Sequence, residues 1–213
     1  MFTEQDQAKI RDAVSQAERR TRGEIVPMVV PASAYYREAS HCAGLAAALL
    51  VLAGLVTLDF RWDLWWWSRH TGAWILLSTV VAYALGHWLG SLPSAIRLFV
   101  PGGRMDMKVR RRAEQAFYEQ GLHRTREGTG VLIMVSLAER RVQILADRAI
   151  NERVPPGTWD GVVRGLIQGI RDGRATAAFC DAIARCGELL ALHFPAVEGD
   201  NPDELPDELI SGK

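Results

Sequence analysis

Little in this 213-residue chain points to metal-thiolate or disulfide chemistry. It holds three cysteines, and none of them falls in a CxxC or Cys/His ligand spacing, so neither a zinc site nor a disulfide framework is supported. A surplus of either charge is also missing. Lys and Arg number 25, as do Asp and Glu, and the absence of a basic excess argues against a nucleic-acid partner. The start, Met1-Phe2-Thr3-Glu4-Gln5-Asp6, has no basic stretch followed by an apolar one, so no secretory signal is expected there. Charge itself is scarce in one region. Residues 39–58 contain no Asp, Glu, Lys or Arg, and residues 71–96 hold only the titratable His87.

Those two uncharged runs are what the sequence offers most clearly. About 20 apolar residues cross a hydrocarbon core of ~30 Å, and two buried helices of that length would overwhelm a domain of this size. The chain is therefore expected to divide into residues 1–37 and 97–195 as one discontinuous soluble domain, 38–96 as a transmembrane helical hairpin, and 196–213 as an acidic, loosely ordered tail. Between the two runs Trp62, Trp65, Trp66 and Trp67 supply four of the seven tryptophans, the composition of a headgroup-level turn. Arg22, Arg37, Arg97, Arg104, Lys108, Arg110, Arg111 and Arg112 flank the hairpin, against Arg61 and Arg69 in the turn. The positive-inside rule then places the soluble domain in the cytoplasm. Gly86 and Gly90 form a GxxxG spacing facing a first helix rich in Ala and Gly. Small residues of this kind let helix backbones approach closely, within the hairpin or in a homo-oligomer.

In the soluble part, Thr3 and Asp6 resemble a helix cap before the stripe Ile10, Ala13, Val14 and Ala17. The run EIVPMVV reads as a strand, with Pro27 implying an edge position or a bulge. A helix over 105–122 follows the hairpin. Its basic half, Lys108, Arg110, Arg111 and Arg112, is placed to meet an anionic lipid surface at ~1 kcal/mol per basic residue. GVLIMVS is a strand buried on both faces, and RVQILA alternates like a half-buried one. The short turn between them implies an antiparallel pair. Trp159, Val162, Val163, Leu166, Ile167 and Ile170 mark an amphipathic helix, and Phe179, Ile183, Cys186 and Leu190 a last one. The fold class is α/β: a small mixed sheet with flanking helices, its right-handed crossover interrupted by the transmembrane hairpin.

Chemistry is sparse. Glu127 precedes the second strand and Asp147 follows the third, ends that are adjacent in an antiparallel pair, and Asp160 starts the next helix. Glu127, Asp147 and Asp160 could together supply oxygen ligands to a hard cation such as calcium; a surface turn and a first-turn helix acid explain the same residues more simply. His123 lies beside Arg124, Thr125 and Arg126 as a possible base or anion contact. No Ser/His/Asp or P-loop arrangement is present.

Three segments taken together resemble a known family. Thr21-Arg22-Gly23-Glu24-Ile25-Val26 after a helix, Gly130-Val131-Leu132-Ile133-Met134-Val135-Ser136, and Arg140-Arg141-Val142-Gln143-Ile144 look like the TPM domain. That family is named for a thylakoid lumen protein, a photosystem II repair factor and a modulator of acetylcholine receptors. The resemblance spans roughly 1–37 and 100–195. Gly121-Leu122-His123-Arg124-Thr125-Arg126 and the stretch from Val154 to Asp160 look like a bacterial branch with such a hairpin. It implies phosphatase activity, calcium binding or maintenance of membrane complexes, with a LemA-type membrane protein as a partner. Two departures stand out. Thr129 replaces an acidic residue before the second strand, and Ala146, Asp147 and Arg148 stand where the family has Gly-x-Gly. Without those glycines the backbone cannot approach a phosphate or metal closely. A membrane-anchored binding or accessory module of the inner membrane, with no resident cofactor, is therefore the first expectation. A phosphomonoester phosphatase and a calcium sensor are the alternatives.

Overall fold

The computed structural model describes residues 2–34, 36–62, 71–92, 97–98, 100–197 and 204–212. The tryptophan-rich turn (63–70) and the tail acids Glu198, Asp200 and Asp203 lie outside the described residues. The chain forms two units, Met1–Ser33 with Asp106–Lys213, and Ala34–Met105.

The first unit opens with α1, Glu4–Glu18, closed by a reciprocal capping box between Thr3 and Asp6. Such a cap satisfies two orphan amides of the first turn and contributes about 1 kcal/mol. Next come β1 (Glu24–Val30), α4 (Gly102–Glu119, its first residues in the other unit), β2 (Gly130–Ser136) and β3 (Arg141–Ala146). Three helices follow, α5 (Arg148–Arg153), α6 (Trp159–Arg171) and α7 (Ala175–His193), and then β4, Ile210–Ser211. The sheet order is β3-β2-β1-β4. β1 runs parallel to β2 and to β4, whereas β2 and β3 are antiparallel.

Every residue of β1 and of β2 is buried, because helices cover both faces. On one face Ile25, Val29, Val131, Ile133 and Val135 pack with Ile10 and Val14 of α1, Leu166 of α6, and Phe179 and Ile183 of α7. On the other, Val26, Met28, Val30, Leu132 and Met134 meet Val109, Ala113, Ala116 and Phe117 of α4. The period-2 alternation of each strand thus divides its side chains between two cores.

Pro27 is accommodated without a bulge. Glu24 N–H donates to Thr129 O, and Leu137 N–H to Val30 O, so the even-numbered residues of β1 face β2. Pro27 faces the other side, where β4 pairs only Met28 and Val29. Its missing N–H interrupts no ladder, so locally β1 is an edge there. Two elements differ from the sequence expectation. Asp147–Arg148 is no plain turn, because Asp147 caps α5. Nor is the tail loose throughout. Leu209 is buried, Leu205 and Ile210 pack on the α4 face, and Gly212 N–H donates to Val29 O.

The second unit pairs α2 (Arg37–Trp62) with α3 (Thr71–Gly90). Glu38–Thr57 and Gly72–Gly90, of 20 and 19 residues, are long and apolar enough to cross a membrane. The small residues pack the two helices on each other. A methyl at Gly86 would lie 2.7 Å from Ala47 Cβ and 2.8 Å from Ala43 O, and one at Gly90 2.7 Å from Ala43 Cβ. Gly86→Val should therefore separate the pair and cost about 1–2 kcal/mol, read as lost protection of the α3 amides in hydrogen exchange; unchanged protection would contradict this packing. His87 does not simply reach outward. Its ring lies 4.8 Å from that of His41 and stacks on Tyr83 at 6.0 Å, and His41 Nδ1 is 2.8 Å from Tyr83 Oη.

Candidate functional site

Because β1 and β2 are parallel and in register, Val30 and Ser136 end side by side. In open α/β sheets ligands gather at such carboxyl ends, where loops diverge and leave a crevice. Here the two loops are tied together. Leu137 N–H donates to Val30 O at 3.0 Å and Ala138 N–H to Pro31 O at 2.9 Å. Ser33 N–H donates to Glu139 Oε1 at 2.9 Å, Ser33 Oγ to Ser136 Oγ at 2.8 Å, and Ser136 Oγ to Glu139 Oε2. Glu139 is only 3% exposed and Ser136 fully buried. At that depth both side-chain oxygens of Glu139 are satisfied by donors.

The chain then reverses into β3 through Arg140, the one described non-glycine residue with positive φ, at 52°. The turn aims successive arginines into the crevice. Arg140 and Arg141, with Arg171 from the last turn of α6, line a cavity of about 600 Å³ floored by Val135, Leu137, Val142, Ile167 and Ile170. Arg141 Nε lies 3.1 Å from Asp106 Oδ1. Among the described residues, Arg140 and Arg171 have no acidic partner. A second cavity of about 490 Å³ shares Val135, Leu137 and Ile170 and continues past Pro31 to Phe2 and Phe179. Asp6, Gln7 and Thr176 contribute its polar groups; hydrogen bonds from Thr3 hold the Asp6 carboxyl below its ordinary range. The first cavity is cationic, and the second is mostly apolar with Asp6, Gln7 and Thr176 at its polar part.

The residues singled out from sequence lie at the opposite, amino end of β2. Glu127 pairs with Arg22 at 2.5 Å, and Arg22 Nε also donates to Pro195 O. Asp147 accepts from Arg148 N–H at 2.6 Å as the cap of α5, and its own N–H donates to Gly130 O. Asp160 stands in the first turn of α6, its carboxylate beside Gly157. Among the described residues no three His, Cys, Asp or Glu side chains are grouped to hold a metal ion. Glu127 and Asp147 thus share one end of the sheet, engaged in an ion pair and a cap, and Asp160 does not complete a cation site with them. His123 packs on Tyr118 at 5.0 Å between ring centres, while Thr125 Oγ1 donates to Leu122 O and accepts from Thr129 N–H. Those bonds make Thr125 a loop staple.

The basic half of α4 is partly neutralised. Arg110 pairs with Glu114 at 2.9 Å and Arg112 with Glu119 at 3.0 Å. Sequence reasoning passed over Ser136, Glu139 and Arg171. A signal was present: a Ser and a Glu three residues apart, followed at once by two arginines.

Comparison with known proteins agrees with this architecture. Residues 100–189 match the family model of the TPM domain. No curated protein matches the chain. Among solved structures, the BA42 protein of the psychrophilic bacterium Bizionia argentinensis is similar, with a TM-score of 0.60 and 19% sequence identity, covering 100% of this chain and 96% of that one. At that identity the likeness speaks for the fold alone. The matched stretch runs from the end of the apolar hairpin through β2 and β3 to α7 and contains Glu139 and all three crevice arginines, so over residues 100–189 this chain is similar to a TPM domain.

Proposed function

We propose that the chain is a membrane-anchored TPM domain serving as a binding or accessory module in maintenance of the cell envelope, without turnover chemistry of its own. One observation carries this reading. The crossover from β1 to β2 is interrupted by two helices whose apolar side chains point outward. Leu50 is 75% exposed, Leu76 67% and Leu85 57%, the reverse of a soluble core helix. Lipid satisfies such a surface and water does not.

The excess of basic residues on the flanks supports an inner-membrane location with the α/β unit in the cytoplasm. Lys108, Arg110, Arg111 and Arg112 of α4 together add attraction to anionic headgroups. The partner is a membrane protein, a LemA-type protein being the family-level expectation. Crosslinking in native membranes followed by pull-down tests this. The expected result is a chain that resists alkaline carbonate extraction and co-purifies with one membrane protein. Release by carbonate overturns the anchoring. Hydrolysis of a phosphomonoester that Asp147→Ala abolishes supports the phosphatase reading in its place. A rise in Tm with millimolar calcium supports the sensor.

A further inference from the structure

The geometry points to the cationic end of the crevice as a site for the phosphate headgroup of an anionic phospholipid, with the apolar end receiving part of an acyl chain. This inference rests on the membrane attachment proposed above and names a ligand for the domain itself. Arg140, Arg141 and Arg171 converge on one cavity of about 600 Å³ from two separate elements, the β2–β3 turn and the end of α6. Guanidinium forks match phosphate oxygens bidentately. Arg140 and Arg171 have no acid to satisfy them among the described residues. With Arg141 set against Asp106, the field of these two arginines stays uncompensated by any acid among the described residues.

The backbone supplies a second, independent sign. Arg140 holds φ at 52°, a left-handed conformation that costs a residue bearing a Cβ about 1 kcal/mol relative to glycine. Strain of this kind is kept where a particular side chain is needed at a particular point. A glycine would make the turn more easily, but it would remove the cation.

The floor decides between a simple anion and an amphiphile. Leu137 is 42% exposed, and Val142, Ile167 and Ile170 line the same cavity, which shares Val135, Leu137 and Ile170 with the largely apolar cavity of about 490 Å³. Inorganic phosphate has no use for that wall, whereas a lipid does. The tether between β1 and the helical unit is short. Only residues 31–36 separate β1 from α2, a span of about 20 Å at full extension, and β1 ends beside the crevice.

The test uses the full chain in phosphatidylcholine nanodiscs with and without phosphatidic acid, reading Tm of the α/β unit. Phosphatidic acid is expected to raise Tm, and in the double variant Arg140→Gly/Arg171→Gln its apparent affinity should fall about tenfold or more, since two charge-assisted contacts are removed. Arg140→Gly relieves the left-handed strain and Arg171 is exposed, so in pure phosphatidylcholine the variant should unfold no earlier than the wild type, separating lost binding from lost folding. An equal rise in the double variant overturns the inference while leaving membrane attachment intact. An equal rise with inorganic phosphate in pure phosphatidylcholine also overturns it, because the ligand is then the free anion. A chain released by carbonate removes the attachment reading, and the lipid site falls with it.

Discussion

Replacing Glu139 with alanine should cost about 3–4 kcal/mol, a large share of a typical domain's stability of roughly 5–15 kcal/mol. The carboxylate is 3% exposed and accepts from Ser33 N–H and from Ser136 Oγ. Alanine leaves the buried Ser136 hydroxyl and the half-buried Ser33 N–H with no acceptor in place, at about 1–3 kcal/mol each. Glutamine keeps one oxygen but turns an NH2 toward the other donor, so Glu139→Gln should lose less than the alanine variant and more than nothing. Urea midpoints in detergent micelles measure the series. A loss under about 1 kcal/mol for Glu139→Ala would mean the network is solvated and leave it without an anchoring role. The effect should also spread. Ser33 is the last residue of the α/β unit before the helical one, so the variant should expose the segment after β1 to protease.

Glu18→Gln should do the opposite and stabilise the protein above neutral pH. Glu18 Oε1 accepts the Ile25 N–H at 2.7 Å, an amide on the side of β1 that β4 does not cover. Burial, with the negative Glu24 and Asp207 nearby and a hydrogen bond to Asp207, pushes its pKa up to about 9 from an ordinary 4.5. The folded state therefore holds a proton that the unfolded chain releases at neutral pH. Stability from this group is complete below pH 4.5 and erodes as pH rises towards 9. Glutamine presents the same carbonyl to Ile25 and an N–H to Asp207 with no proton to lose. The variant should match the wild type near pH 4 and exceed it by on the order of 2 kcal/mol at pH 8, a figure held below the full linkage because the site is not wholly closed to water. A difference that stays constant across this range would show that Glu18 titrates normally.

The fold was legible wherever one period dominated a segment. Ile10, Val14 and Ala17 announced α1, and the unbroken apolar run of β2 announced a strand covered on both faces. β4 escaped notice because two residues, Ile210 and Ser211, carry no period, and the neighbouring acids suggested solvent. Only the tertiary pairing with Met28 and Val29 makes them a strand. The short α5 was hidden for the same reason, six residues being too few to show a face. The candidate site was less legible. Sequence reasoning weighed carboxylates near strand ends and arrived at Glu127 and Asp147, at the amino end of β2. The crevice at the other end depends on Arg171, which is 30 positions beyond Arg141 and joins it only because α6 packs against β3. Spacing along a chain says nothing of such a meeting.

Parallel pairing between β1 and β2 sets a timetable for synthesis. Glu24 must wait for Gly130, its partner in the ladder, while about a hundred further residues are made. At ~5–20 residues per second that delay lasts roughly 5–20 s. Throughout it, a segment apolar but for Glu24, which ends buried, has left the ribosome with no strand to join. Such a segment is a ready template for wrong partners. A ribosome pause or a shortage of holdase should therefore damage this protein before the hairpin has been completed, and far more than a comparable delay after Ser136 has emerged.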